Sequence, residues 1–273
     1  MITFPNAKIN LGLNIVGKRP NGYHDIETVF YPIQLCDVLE IVPSTSGDTT
    51  LHQLGKGLDC PPEKNLVMKA YRLLCDKAEL PCVDIYLYKN IPDGAGMGGG
   101  SADASFTLKM LNEMFSLGFD SDTLATIASS LGADCPFFIY NTPMYATGIG
   151  DVLSPASANL KGKFLLGVKP PVSVPTAEAY RNVVPTKSET DIRDIIQLPV
   201  TEWNGLLKND FEQSVFSAFP LLADIKREIQ ESGALYASMS GSGSTIFGIF
   251  DNAILAENAK DMFKKYRNFV IPL

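Results

Sequence analysis

The stretch IPDGAGMGGGSADAS, residues 91–105, joins a glycine-rich loop to the start of a helix. Five glycines fall between positions 94 and 100, and the residues after them favour a helix from about Ser101. Glycine lets backbone N–H groups approach a ligand closely and adopt positive φ. A helix N-terminus adds unpaired N–H donors and the positive end of the helix dipole. The stretch therefore predicts a phosphate-binding loop, because an ordinary turn would not justify the backbone entropy that so many glycines cost.

Three familiar nucleotide-binding patterns fit this loop poorly. Gly94, Gly96 and Gly99 match the G-x-G-x-x-G spacing of dinucleotide-binding proteins. The acidic residue expected about 20 positions further on would be Asp120, but its surroundings are typical of a helix cap. The P-loop pattern G-x-x-x-x-G-K-[ST] is missing from the sequence, as are the H-R-D and D-F-G motifs of protein kinases. A dinucleotide-dependent oxidoreductase stays open as an alternative through the formal match alone.

The composition is that of an ordinary globular protein. The 273 residues are 45% hydrophobic and carry a net charge of −7, which weighs against general nucleic-acid binding. No stretch approaches the roughly 20 apolar residues that cross a membrane, and the N-terminus lacks the features of a signal peptide. We therefore expect a cytoplasmic protein without nucleic-acid or membrane partners. Five scattered cysteines and two histidines also weigh against a disulfide framework and a zinc site.

Hydrophobic periodicity predicts an α+β protein. Apolar and polar residues alternate over 8–16, which indicates a strand with one buried face. Apolar residues at helical spacing predict a helix over 65–78, in addition to the one after the glycine loop. Strands are predicted at 84–88, 164–168, 235–239 and 245–250, and a later helix carries Leu222, Ile225 and Ile229. A shift in composition near 154–163 predicts a boundary between two domains, residues 1–155 and 156–273.

Four stretches of the sequence resemble the GHMP kinases, the family of galactokinase, homoserine kinase, mevalonate kinase and phosphomevalonate kinase. They are PNAKINLGLNIVGKRPNGYHDIETVF (5–30), PDGAGMGGGSADAS (92–105), LGADCPFF (131–138) and SGSGSTIFG (240–248). The resemblance covers essentially the whole chain. It implies a two-domain α+β fold, with an N-terminal ATP-binding domain like the second domain of ribosomal protein S5 and a ferredoxin-like C-terminal domain. Met97 and Ala102 replace the usual Leu and Ser, which changes size little and keeps the backbone requirement.

The resemblance implies an ATP- and Mg²⁺-dependent kinase that phosphorylates a small-molecule alcohol. The N-G-Y-H sequence at 21–24 is similar to the branch that phosphorylates the 2-hydroxyl of a cytidine diphosphate-linked methylerythritol, on the non-mevalonate route to isoprenoid (terpenoid) precursors. The alternatives are a homoserine or mevalonate type of specificity and, further off, a non-enzymatic S5-like binding module. A monomer and a homodimer are both open.

The resemblance also implies catalytic and phosphate-binding roles. The family's catalytic Asp corresponds to Asp134, which spacing alone would assign to a turn. Its Lys corresponds to Lys8, whose charge would keep the carboxylate ionised and stabilise developing negative charge. Asn10 lies on the same face of the strand as Lys8 and is expected to orient the same hydroxyl. The expected ATP-binding residues, of which Ser101 is also expected to contact Mg²⁺, are Pro92, Asp93, Gly94, Ala95, Gly96, Met97, Gly98, Gly99, Gly100, Ser101 and Ala102.

The remaining implied residues form a cytosine pocket and a supporting turn. Tyr23 and Tyr180 would stack on the two faces of the base, His24 would hydrogen-bond to it, and Thr176 would lie near the substrate. The SGSGS sequence at 240–244 is typical of a plain hairpin turn; the resemblance implies that its Gly241 and Gly243 brace the glycine loop. Two residues that reach the nucleotide in relatives, Lys89 and Asn65, are expected to lie at the surface here.

Overall fold

The computed structural model describes residues 1–55, 60–181, 183–186 and 190–273. Helices and strands are interspersed along the chain without a regular β-α-β repeat, as the α+β prediction requires. The strands are β1 (Ile2–Thr3), β2 (Asn6–Lys18), β3 (His24–Cys36), β4 (Val38–Pro43), β5 (Thr50–Leu54), β6 (Val83–Tyr88), β7 (Met144–Thr147), β8 (Val152–Pro155), β9 (Phe164–Lys169), β10 (Tyr236–Met239), β11 (Ile246–Phe250) and β12 (Arg267–Pro272). The helices are α1 (Leu66–Cys75), α2 (Gly99–Met114), α3 (Ser121–Ser129), α4 (Cys135–Tyr140), α5 (Thr176–Tyr180), α6 (Ile192–Ile195), α7 (Phe211–Ala218), α8 (Pro220–Glu231) and α9 (Ala253–Asp261). None of these described helices has the length and apolar content needed to cross a membrane.

The chain forms two compact units, each assembled from separate segments of the sequence. The first unit comprises Met1–Ala7, Leu35–Asp93 and Gly98–Thr142. The second comprises Lys8–Gln34, Gly94–Met97 and Pro143–Leu273. The glycine-rich loop therefore contributes its first four residues to the second unit and the start of α2 to the first.

The first unit is a four-stranded sheet with helices packed on one face. The strand order is β1-β4-β6-β5, with β5 parallel to β6 and the other pairs antiparallel. Alternate residues of β6, namely Val83, Ile85 and Leu87, are fully buried and face the helices. The apolar stripe predicted for 65–78 is confirmed, because the buried residues of α1 are Val67, Met68, Ala70, Tyr71 and Leu74. This packing fixes α2, and with it the end of the glycine loop.

The second unit contains two four-stranded sheets. One has the order β10-β11-β9-β12 with antiparallel pairs throughout, and the other has the order β2-β3-β7-β8. The predicted hairpin is confirmed, since β10 and β11 pair on either side of the SGSGS turn. The predicted apolar face of α8 is confirmed as well: Leu222, Ile225 and Ile229 are its buried residues.

The prediction that β2 has one buried face is wrong, because both faces are buried from Asn6 to Ile15. Lys8 and Asn10 are only 3% and 2% exposed. Their polar groups bond to one another, with Lys8 Nζ donating to Asn10 Oδ1 at 2.7 Å and Asn10 Nδ2 to Thr28 Oγ1 at 3.0 Å. Buried polar groups are tolerated where they find such partners. Alternation in the sequence reports the polarity of the side chains and not their exposure.

Candidate active site

The glycine loop has a backbone that only glycine adopts readily. Gly94, Gly96 and Gly98 have φ of 56°, 72° and 71°, in the left-handed region. Gly98 caps α2, which begins at Gly99, two residues before the predicted start. A Cβ at Gly96 would lie 1.9 Å from the carbonyl oxygen of Ser240, so no other residue fits there without displacing the backbone.

The carbonyl groups of Ala95, Gly96 and Met97 accept hydrogen bonds from other residues of the second unit. Ala95 O accepts from Thr245 N at 3.3 Å, and Gly96 O accepts from Ser240 Oγ at 2.9 Å. Met97 O accepts from Lys8 N at 3.0 Å. Three successive peptide carbonyls are thus held by neighbours, which fixes the orientation of the loop.

The N–H groups at the start of α2 are unpaired. Ala102 N donates to Gly98 O at 2.9 Å and is the first to bond in the pattern of the helix. Within the described ranges, the N–H groups of Gly99, Gly100 and Ser101 have no protein acceptor. The first turn also carries no acidic residue to offset the helix dipole. Unpaired donors and a positive dipole end favour the binding of an anion here.

Ser101 and Asp134 belong to one corner of the first unit. A Cβ at Gly132 would lie 3.9 Å from Ser101 Oγ and 3.5 Å from Cys135 Sγ. Asp134 is half-buried at the residue before α4, and its side chain does not cap that helix. Asp134 thus lies in the turn that spacing alone predicts, without a capping bond to α4. Burial raises the pKa of the adjacent Cys135 thiol to about 11, so this cysteine is neutral at physiological pH.

Lys89 lies in the interior, so its expected place at the surface is wrong. Its side chain is 8% exposed, and Nζ forms a short hydrogen bond to Asp37 and a 2.6 Å bond to Asp103 Oδ2. Asp37 Oδ1 also accepts from the backbone N–H groups of Asn90 and Ile91, just before the loop. Burial acts to lower the pKa of Lys89, but Asp103 and Asp37 outweigh it and the pKa is raised. The position of Lys89 shortly before the glycine loop was the feature of the sequence that could have indicated this cluster with Asp37 and Asp103.

Asn65 is 6% exposed, so its expected surface location is also wrong. Its side chain caps α1 by accepting from Val67 N at 3.0 Å. Asparagine is among the best N-cap residues, and its position at the start of the predicted helix was the missed signal.

The predicted cytosine-pocket residues divide into a stacked pair, buried His24 and half-buried Tyr180, and two exposed residues. The ring of His24, which is 9% exposed, stacks on Tyr180 with centroids 4.5 Å apart and planes 16° apart. Phe211, which sequence reasoning missed, meets Tyr180 edge-on at 4.7 Å. Burial and the charge of Lys18 lower the pKa of His24. Neutral imidazole offers one donor and one acceptor, the pair of groups that an amide-like base edge requires.

Tyr23 and Thr176 lie at the surface, Tyr23 being 59% exposed. Since His24 covers one face of Tyr180, a base stacking on Tyr180 would use the other face.

The SGSGS turn packs against the glycine loop. Gly241 and Gly243 both have positive φ, at 55° and 90°. A Cβ at Gly241 would lie 3.1 Å from Gly96 O and 3.4 Å from Asn10 Oδ1. The turn, the loop and the face of β2 that carries Asn10 therefore meet within the second unit.

Comparison with known proteins agrees with this geometry. The model of the GHMP kinases N terminal domain matches residues 65–142, and that of the GHMP kinases C terminal domain matches residues 196–268. The chain is 55% identical to a 4-diphosphocytidyl-2-C-methyl-D-erythritol kinase of Parabacteroides distasonis, over 92% of each chain. It is 53% identical to the protein of the same name from Bacteroides thetaiotaomicron, again over 92% of each.

Solved structures give the same result for the fold. The crystal structure of a 4-(cytidine 5'-diphospho)-2C-methyl-D-erythritol kinase superposes with a TM-score of 0.85 at 31% identity, covering 99% of this chain and 98% of that one. Mevalonate kinase of Methanococcus jannaschii, at 16% identity, shares the fold with a TM-score of 0.76 over 100% of this chain and 98% of that one. The chain has the two-domain fold of these enzymes and belongs to the GHMP kinase family.

Proposed function

We propose that the protein transfers the γ-phosphoryl group of ATP to the 2-hydroxyl of 4-diphosphocytidyl-2-C-methyl-D-erythritol. The observation that carries the proposal is the glycine loop, whose carbonyls are tied back while the N–H groups at the start of α2 stay unpaired. The names of relatives above 50% identity support this substrate. The stacked His24–Tyr180 pair supports recognition of a base.

In this proposal the loop binds the phosphates of ATP. The binding residues run from Pro92 to Ala102, with the unpaired N–H groups of α2 as donors to phosphate oxygens. Phosphoryl transfer depends mainly on positioning and on neutralising charge, and a rigid loop provides both. Gly241 and Gly243 support the loop from the neighbouring turn.

Asp134 is proposed to accept the proton of the substrate hydroxyl as that oxygen forms its bond to phosphorus and the bond to the β-phosphate oxygen breaks. Its carboxylate is half-buried in the turn directly before α4, which supports this role. Lys8 is proposed to stabilise the negative charge, with Asn10 orienting the hydroxyl; the 2.7 Å bond between Lys8 and Asn10 supports their acting together.

The proposed Mg²⁺ would neutralise the ATP phosphates. No group of three metal-binding side chains occurs in the described part of the chain. We propose that Mg²⁺ would be held mainly by the ATP phosphates and water, with one or two oxygens from the protein. The hydroxyl of Ser101, in the first turn of α2, suits that role.

The cytosine base is proposed to hydrogen-bond to His24 and to stack on Tyr180. Tyr23 would close over the base from the surface, and Thr176 would contact the substrate. A stacked base contributes about 1–3 kcal/mol, which is enough to select a cytidyl compound over a plain alcohol.

The test is ADP release from ATP and Mg²⁺ with four alcohols offered separately: the cytidyl compound, mevalonate, homoserine and galactose. We expect turnover with the cytidyl compound alone. Turnover with another alcohol would keep the kinase and remove the cytosine pocket. No turnover with any of the four, on folded protein, would overturn the proposal.

A further inference from the structure

The sequence Asn-Asp-Phe-Glu at 209–212 is here called the NDFE segment. Its side chains form hydrogen bonds to β2, to β10 and to the SGSGS turn that packs against the glycine loop. Asn209 is 3% exposed, and its Nδ2 donates to Met239 O at 2.7 Å and to Gly241 O at 2.9 Å. One amide group thus holds the end of β10 and the SGSGS turn together. Its Oδ1 accepts from Phe211 N at 3.0 Å, which uses the other half of the amide.

The two carboxylates of the NDFE segment extend this contact. Glu212 Oε1 accepts from Met239 N at 2.9 Å, so β10 is held at both its N–H and its carbonyl. Asp210 Oδ2 accepts from Ile15 N at 2.7 Å. Asp210 N also donates to Leu13 O at 2.8 Å, which ties the segment to β2.

A short chain of contacts leads from Asn209 to the glycine loop. Gly241, whose carbonyl Asn209 holds, follows Ser240, whose hydroxyl bonds to Gly96 O at 2.9 Å. The carbonyl of Ser240 occupies the space that a side chain at Gly96 would need. Movement of the turn by a fraction of an ångström would therefore move the loop, because packed backbone has no free space to absorb it.

We propose that Asn209 is a positioning residue for the phosphate-binding loop, acting through the SGSGS turn. The inference rests on the proposed function, because its kinetic test requires turnover of ATP. Its structural test depends only on the backbone contacts. Asn209 does not touch the phosphates. It fixes the turn against which the Gly94–Met97 part of the loop is packed.

The decisive variant is Asn209→Asp, which keeps the size of the side chain. One oxygen still accepts from Phe211 N, so the Phe211–Tyr180–His24 stack keeps its support. The other oxygen replaces the donor and faces two carbonyl oxygens, which it repels. The matched control is Lys226→Met. It breaks the 2.6 Å ion pair with Glu212 on the same segment but leaves the bonds to β10 and the turn intact.

The kinetic test compares KM for ATP with KM for the cytidyl substrate. We expect Asn209→Asp to raise KM for ATP about tenfold or more, since small misplacements of binding groups have effects of this size, with KM for the cytidyl substrate within about twofold. Lys226→Met is expected to change neither. A value of KM for ATP in Asn209→Asp equal to that of Lys226→Met, or an equal rise in both KM values, would overturn the inference.

The structural test is amide hydrogen exchange at residue resolution without ligand. The reporters are Thr245 N, bonded to Ala95 O, and Ser240 N, bonded to Thr245 O. We expect faster exchange of both in Asn209→Asp and no change in Lys226→Met; unchanged exchange would overturn the inference. This result stands even if the wild-type protein fails to turn over ATP, which would defeat the proposed function separately. If Asn209→Asp does not fold, Ser240→Ala removes the next link and is judged by the same KM ratio and by Thr245 exchange.

Discussion

At the scale of single residues, Asp134 carries the most specific chemical expectation. Asp134→Asn keeps the shape of the side chain but cannot accept a proton at ordinary pH. We expect kcat to fall by roughly 10²–10⁴, the usual contribution of a general base, while the dissociation constant of a non-hydrolysable ATP analogue stays the same. Steady-state kinetics and titration calorimetry measure the two quantities. A variant with near-normal kcat would exclude Asp134 from the proton transfer.

His24 contributes both a stacking surface and hydrogen-bonding groups, and two variants separate them. His24→Phe keeps a ring against Tyr180, whereas His24→Ala removes the stack as well. We expect both to raise KM for the cytidyl substrate far more than KM for ATP, with the larger effect for alanine. Because the pKa of His24 is lowered by burial, the wild-type KM should vary little between pH 7 and 8. Equal effects on both KM values would argue against a cytosine pocket.

We expect Asp103 to make the stability of the protein depend on pH. Burial raises its pKa to about 7, and Oδ1 has no hydrogen-bond partner among the described residues. In the unfolded chain an aspartate titrates near 3.9. Between about pH 4 and pH 7 the folded protein therefore keeps a proton that the unfolded chain has lost, and stability falls as the pH rises.

Asp103→Asn removes this titration, so its melting temperature should fall less than that of the wild type between pH 5 and pH 7.5. Scanning calorimetry at the two pH values measures the difference. Asp48→Asn, at an exposed position, is the control and should follow the wild type. A pH dependence of the Asp103→Asn variant that matches the wild type would show that Asp103 does not titrate in this interval.

How far the sequence predicts a residue depends on what constrains it. The glycines of the loop were identified because positive φ and close approach restrict the residue type itself. The burial of Lys89 could not be predicted in the same way, because it depends on Asp37 and Asp103, which lie 52 and 14 positions away. The contacts of Asn209 could not be predicted from the sequence for a comparable reason. Its two acceptors are 30 and 32 residues further along the chain.

At the scale of elements, the glycine loop and the SGSGS turn act as one packed pair. Gly96→Ala would place a methyl group 1.9 Å from Ser240 O, in addition to the strain at φ of 72°. Gly118→Ala is the matched control, since its φ is 75° and nothing lies within 4 Å of the added carbon. Backbone strain alone costs about 1–2 kcal/mol. We expect that cost and near-normal kcat/KM for Gly118→Ala, but a larger loss of stability and little ATP turnover for Gly96→Ala.

Chemical denaturation and the ADP-release assay measure both effects. Equal losses in the two variants would mean that strain matters at Gly96 and packing against the turn does not.

The strands and helices were predicted where periodicity and burial agree. The buried stripe of α1 and the hairpin of β10 and β11 follow this rule. The second face of β2 did not, because Lys8 and Asn10 are buried through hydrogen bonds to one another and to Thr28. Side-chain polarity marks such a face as solvent-exposed unless its partners are known.

At the scale of the whole molecule, the compact units do not correspond to continuous stretches of the sequence. The second unit draws on Lys8–Gln34 and Pro143–Leu273, which lie on both sides of the boundary near residue 155. That boundary stays a prediction. A shift in composition detects a change along the chain, whereas compactness reflects strands that return to the same sheet from distant parts of the sequence.

Ligand-linked stability distinguishes the kinase from the other classes that the sequence left open. A ligand that binds only the folded protein stabilises it by about 2.7 kcal/mol at 100 times its dissociation constant. We expect a non-hydrolysable ATP analogue with Mg²⁺ to raise the melting temperature by several degrees, and NAD at the same concentration to leave it unchanged. Thermal unfolding measures the shift.

The same measurement separates binding from chemistry across the variants. Asp134→Asn should keep the full shift, because the proposed proton acceptor is not needed to hold the phosphates. Gly96→Ala should lose it, because the loop that supplies the N–H donors is displaced. Stabilisation by NAD but not by the ATP analogue would return the glycine loop to the dinucleotide-binding class. Stabilisation by neither, on folded wild-type protein, would contradict the proposed role of the unpaired N–H groups of α2 as donors to the ATP phosphates.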